Sequence, residues 1–121
     1  TAARTIAILQ AVSRAGGDGI SAKALSEELR LPRQVVYHLV HTLIQVKVLR
    51  RAQGTNLVLG LGVAPLVQGF HTQMSASGFL TRCAKAAANE TGESAYVSGW
   101  LDGEIVVLAT ARGNAPIQAA E

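Results

Sequence analysis

Apolar residues recur at helical spacing from the start of the chain. Ile6, Leu9 and Val12, with Ala7 and Ala11 alongside, predict a first helix over residues 5–15. Gly16-Gly17-Asp18-Gly19 ends that helix and forms a turn. Ser21 is a good N-cap for a second helix, which places Leu25 and Leu29 on one face. Arg30-Leu31-Pro32 interrupts it, because proline disfavours helix in the residue before it and suits the first turn of a new one. A third helix therefore begins near Pro32 and runs to about Val46. The period then shortens. Two β-prone runs, residues 47–51 and 57–60, flank the polar loop Ala52-Gln53-Gly54-Thr55-Asn56 and predict a hairpin. Val63, Leu66, Val67, Phe70 and Met74 mark one face of a fourth helix, in which Pro65 is tolerated only in the first turn. Ser75-Ala76-Ser77-Gly78 breaks it. Residues 79–89 form an alanine-rich fifth helix capped by Gly92. Two extended runs, 94–100 and 104–109, meet at Asp102-Gly103, a strong hairpin-turn signal. The fold class is mainly α with short β. One helix and one hairpin are too little for a stable sheet domain, so the last segment is expected to be truncated or to be completed by another chain.

The third helix has two unlike faces. With Arg33 as origin, Val36, Leu39, Val40 and Leu43 fall within roughly 240–340° and form a stripe to be buried. Arg33, Gln34, Tyr37, His38 and His41 fall within roughly 0–140°. Any surface helix is amphipathic, but a solvated face usually mixes charge signs, and this one carries no acid. Arginine can pair bidentately with guanine and glutamine with adenine. Tyrosine and histidine can bond phosphates or stack on sugars. A short helix, a turn and a second helix of this kind make a helix-turn-helix. The following hairpin places Arg50, Arg51, Gln53 and Asn56 on a projecting loop, as a wing that touches minor groove or phosphates requires. Ser21 and Lys23, at the start of the second helix, complete the candidate DNA-binding set.

Charge distribution adds to this. Residues 1–60 hold eight bases (Arg4, Arg14, Lys23, Arg30, Arg33, Lys47, Arg50, Arg51) and three acids (Asp18, Glu27, Glu28). Residues 61–121 hold three bases (Arg82, Lys85, Arg112) and five acids (Glu90, Glu93, Asp102, Glu104, Glu121). A basic half followed by an acidic half reads as two modules, the first facing a polyanion. The chain has 121 residues, 49% of them hydrophobic, enough to bury a core. No apolar run approaches the ~20 residues of a membrane span, and the first ten residues lack a signal peptide's basic-then-apolar order. Cys83 is the one cysteine, so no internal disulfide can form, and a cytoplasmic location is expected.

Several stretches together resemble the isocitrate lyase regulator (IclR) family of bacterial transcription factors. They are Ala7-Ile8-Leu9-Gln10-Ala11-Val12, Gly19-Ile20-Ser21, Ala24-Leu25-Ser26, then Leu31-Pro32-Arg33-Gln34-Val35-Val36-Tyr37-His38-Leu39, Leu43 and Leu59-Gly60. Residues 61–76 look like that family's linker helix. Thr91-Gly92-Glu93-Ser94-Ala95, Asp102-Gly103 and Val106-Val107 look like the start of its effector-binding domain. The resemblance implies a winged helix-turn-helix over residues 1–60, a linker helix over 61–77, and over 78–121 the incomplete beginning of an α/β, GAF-like domain that binds a small-molecule effector. It implies a homodimer or dimer of dimers, with DNA read by Arg33, Gln34, Tyr37 and His38 and the wing carrying Arg50 and Arg51. His38 stands where many members have arginine, Lys47 where many have glycine, and Val58 where tyrosine is usual.

Other chemistries find no foothold. His38 and His41 sit three apart on one helix face, but no third ligand is nearby, so no metal is expected. Gly60-Leu61-Gly62 lacks the third glycine and the lysine of a phosphate loop. Ser94 and Ser98 are not in a nucleophile elbow. Cys83 reads as a small buried apolar residue. No enzyme activity and no cofactor are expected. Leu66, Phe70 and Met74 are expected at a dimer interface, since a helix joining two domains has little of its own chain to bury against. The reading is a sequence-specific transcriptional regulator of double-stranded DNA that binds a palindromic operator under control of an effector. The alternative is a winged-helix protein-interaction module that does not bind DNA.

Overall fold

The computed structural model describes residues 1–74, 76 and 78–113, which fall into two units, Thr1–Leu66 and the residues from Val67 onward. The first unit begins with three helices: α1 (Ala2–Arg14), α2 (Ala22–Leu29) and α3 (Arg33–Gln45). A hairpin of β1 (Leu49–Arg51) and β2 (Leu57–Leu59) follows, then a 3-10 turn (Leu61–Val63) that leads into α4 (Ala64–Met74). One hydrophobic core ties this unit together. It comprises Ile8, Ala11 and Val12 from α1, Leu25 from α2, Val36, Leu39, Val40 and Leu43 from α3, Leu49 from β1 and Leu57 from β2. The four α3 residues are the stripe expected from the sequence.

Helix ends follow from local chemistry. Ser21 caps α2, its hydroxyl oxygen accepting from the Ala24 amide at 3.0 Å. The α2 helix stops at Arg30, which is left-handed (φ 55°), and the Ser26 hydroxyl donates to the Leu31 carbonyl at 2.6 Å. The end of α3 is a Schellman motif. The Val48 amide donates to the Leu43 carbonyl and the Lys47 amide to the Ile44 carbonyl, each at 3.0 Å, with Lys47 at φ 69°. This explains why a glycine is usual where Lys47 stands: a side chain in the left-handed region crowds its own backbone. The carbonyl of Lys47 in turn accepts from the Gly62 amide at 2.8 Å, and a Cβ on Gly60 or Gly62 would collide with it. The Gly60-Leu61-Gly62 stretch is therefore a close backbone crossing. Replacing Lys47 by Gly is expected to raise the unfolding free energy by about 0.5–1 kcal/mol, because relief of the left-handed strain outweighs glycine's entropy cost. Chemical denaturation followed by circular dichroism measures it, and a less stable variant would refute it.

The β1–β2 hairpin is antiparallel, with Leu49 opposite Leu59 and Arg51 opposite Leu57. A third backbone segment joins it. Ile20 and Leu57 exchange both backbone hydrogen bonds, at 3.1 and 2.8 Å, which anchors the hairpin to the α1–α2 turn. That pairing brings Gly19 against the Leu57 carbonyl, where any Cβ would clash and where its φ of +77° already favours glycine.

In the second unit, α5 (Phe79–Thr91) packs on an antiparallel pair, β3 (Ala95–Leu101) and β4 (Glu104–Ala111). Ala84 and Ala88, one turn apart, are the buried residues of α5. They use the helix's narrow apolar stripe, so Cys83, a step of roughly 100° away, is exposed. The expectation of a buried cysteine is thus overturned. Asp102 and Gly103, both at positive φ, form the β3–β4 turn. The outward strand face carries Tyr96, Trp100, Ile105 and Val107, all exposed. The expected break at residues 75–78 falls partly on Ser75 and Ser77, and the last part of the 78–121 segment on residues 114–121, which lie outside the described residues.

Candidate nucleic-acid interface

The α2 and α3 helices are separated by three residues, Arg30-Leu31-Pro32, and pack against one another through Leu25 and the α3 stripe. Burying that stripe turns the opposite face of α3 outward. Arg33, Gln34, Tyr37, His38 and His41 are all exposed, Tyr37 by 51%. The first turn of α3 holds no acid. The whole polar arc is therefore a set of hydrogen-bonding groups on a rigid helix, with arginine the one formal charge among its five residues. At α2, Lys23 is exposed while Ser21 is half-buried, its oxygen held by the capping bond. The Ser21 hydroxyl hydrogen remains to be donated.

The hairpin is a small, braced projection. Arg50, Arg51 and Gln53 are exposed. The Ala52 amide donates to the Asn56 carbonyl at 2.8 Å and closes the loop. Arg51 Nη1 donates to the Thr55 carbonyl at 3.2 Å, which holds its guanidinium near the tip. Asn56 is differently placed. It is half-buried, and its Nδ2 donates to the Asp18 carbonyl at 3.1 Å, tying the tip to the α1–α2 turn. Its amide is a brace of the loop, a role the sequence did not indicate.

The remaining candidates lie on α4. Leu66 is 68% and Phe70 41% exposed, Met74 is half-buried, and no residue of α4 is buried. Phe70 meets the His71 ring edge-on, with centroids 5.7 Å apart. Among the described residues no group of three or more His, Cys, Asp or Glu side chains is placed to hold a metal ion. No described helix is long and apolar enough to cross a membrane.

Two helices joined by a tight turn, the second with one buried and one polar face, followed by a two-stranded wing, define a winged helix-turn-helix. Residues 1–53, most of the N-terminal unit, match the model of the IclR helix-turn-helix domain. No curated protein sequence matches the chain. Solved structures extend the fold likeness over nearly all of it. An IclR family transcriptional regulator from Brucella abortus superposes with a TM-score of 0.75 at 17% identity, covering 93% of this chain and 43% of its own. A transcriptional regulator of the same family from Alicyclobacillus acidocaldarius gives 0.73 at 17% identity, covering 99% and 49%. An IclR homolog from Microbacterium hydrocarbonoxydans, complexed with 4-hydroxybenzoate, gives 0.67 at 14% identity, covering 96% and 48%. The chain thus has the fold of IclR-family regulators and spans about half the length of these structures.

Proposed function

We propose that the chain is the DNA-binding half of a cytoplasmic, effector-controlled transcriptional regulator that acts as a homodimer or dimer of dimers on a palindromic operator. The observation that carries this reading is the acid-free polar face of α3, set beside an arginine-bearing wing in a segment that matches the IclR helix-turn-helix model. In this reading Arg33 and Gln34 meet base edges. Tyr37, His38 and His41 meet sugars, phosphates or bases, and Ser21 and Lys23 meet phosphates at the start of α2. Arg50, Arg51 and Gln53 act from the wing, with Asn56 shaping it. Residues 1–60 form the DNA-binding domain, 61–77 the linker helix and 78–121 part of an effector-binding domain. Small-molecule control is supported by the ligand complex of the Microbacterium homolog. An effector acts here by favouring one dimer arrangement, which changes the spacing of two recognition helices and so the affinity for paired half-sites.

Selection of bound duplexes from a random pool tests the reading directly. A palindromic consensus supports it. No enrichment refutes it and favours a protein-docking module. The wing has its own signature. The double variant Arg50→Ala, Arg51→Ala is expected to flatten the slope of log affinity against log salt by up to about 1.8, two phosphates' worth. An unaltered slope in a fluorescence-anisotropy titration removes both residues from the phosphate contacts.

The α4 face supports dimerisation, because Leu66, Val67 and Phe70 expose a contiguous apolar stripe at helical spacing. Phe70→Asp is expected to shift the sedimentation profile from dimer to monomer, since a charge in an apolar interface loses its hydration. A profile unchanged from the parent chain's dimer would place Phe70 outside the interface.

A further inference from the structure

The α1 and α3 helices meet along one side, and a groove of about 290 Å³ lies between them. Thr1 and Arg4 line it from the start of α1, and Gln34, Val35, His38 and Leu39 line it from α3. On α3 these four residues occupy a continuous arc of roughly 100–240°. The arc begins within the polar face, at Gln34 and His38, and ends in the core at Leu39. Arg4 therefore stands at the edge of the surface that reads DNA, although it belongs to another helix. It is exposed, and among the described residues its side chain has no hydrogen-bond or ion-pair partner. Among the described residues no carboxylate lines the groove.

A recognition helix is about 10–12 Å across with its side chains, and the major groove is about 12 Å wide, so the sugar–phosphate backbones run along both flanks of the seated helix. A group displaced sideways from the reading arc of α3 faces backbone, not base edges. Arginine's planar, permanently charged fork suits a phosphate's paired oxygens. The geometry points to Arg4 as a phosphate contact of the DNA interface, gripping the backbone that flanks α3 beside Gln34 and His38. This rests on the DNA-binding reading above and adds α1 to the interface. The contact fixes the register of α3 on the duplex and adds affinity without base preference.

The test is a salt titration of the parent chain, Arg4→Gln, Arg4→Lys and Arg14→Gln against a fluorescein-labelled duplex of mixed sequence. Arg14 is the control, an exposed arginine in the last turn of the same helix, roughly 15 Å further along its axis. Arg4→Gln should lower the salt slope by about 0.9, so that its deficit against the parent chain shrinks about 3.5-fold between about 50 and about 200 mM salt. Arg4→Lys should keep the slope, and Arg14→Gln should leave it unchanged. A parent chain that binds steeply with salt while Arg4→Gln keeps the same slope overturns the assignment and leaves the DNA-binding reading standing. Equal losses in the Arg4 and Arg14 variants reduce the effect to net charge and overturn it as well. A parent chain that does not bind the duplex overturns both readings together.

Discussion

Leu25→Ala is expected to lower the unfolding free energy of the N-terminal unit by about 2–5 kcal/mol. Leu25 is fully buried, the one buried residue of α2, and shares its core with the α3 stripe. Removing its branched end takes away apolar burial and leaves a cavity that the three helices and the hairpin cannot all collapse to fill. A unit of this size has a total stability of only about 3–10 kcal/mol. The loss is thus a large share of the whole, with a fall in Tm of at least about 8 °C. Thermal unfolding followed by far-UV circular dichroism measures it. DNA affinity should fall in proportion to the unfolded fraction and recover on cooling, because no reading side chain has been touched. A Tm within a degree or two of the parent chain would mean that α2 is held to α3 by its caps and backbone instead.

The parts of the fold legible in the sequence are those decided by periodicity and by residues with special backbone needs. The α3 stripe was legible because its four buried residues recur at 3- and 4-residue spacing with no competing apolar face. The α2 start was legible because Ser21 is a strong cap and Asp102-Gly103 was legible as a turn because both positions take positive φ. The start of α1 was not. The helix begins at Ala2, three residues before the expected boundary, where Ala2, Ala3 and Arg4 form helix well but carry no buried side chain to mark the face. Cys83 misled because its apolar character pointed inward, while the burial of α5 was settled by which residues face the β3–β4 pair. The candidate site divides in the same way. The outward arc of α3 follows from the inward one, so its five residues were legible. The bond from Asn56 to Asp18, the pairing of Ile20 with Leu57 and the placement of Arg4 beside Gln34 are tertiary. Each joins residues roughly 30–40 positions apart, and no local pattern announces them.

Arg33→Ala is expected to weaken binding to the selected operator by about 1–3 kcal/mol per half-site, about 5- to 150-fold, and to relax base preference at one position. Arg33 is the first residue of α3 and is exposed, so its side chain projects from the end of the helix that enters the groove in this fold. Truncating it removes no buried area, and the Tm should stay with that of the parent chain, in contrast to Leu25→Ala. Arg33→Lys separates base reading from charge. Lysine retains the positive charge but replaces arginine's rigid planar fork with a flexible ammonium, which meets guanine O6 and N7 less selectively. If Arg33 reads a base, the lysine variant keeps the salt slope but weakens discrimination among the four bases at that position, and the alanine variant abolishes it. If Arg33 only meets phosphate, discrimination survives in both variants and the alanine variant's slope falls by about 0.9. Titrations against the operator and its single-base variants distinguish the two. Undiminished discrimination in Arg33→Ala would transfer the base-reading role along α3 to Gln34 and His38, the residues that Arg4 flanks.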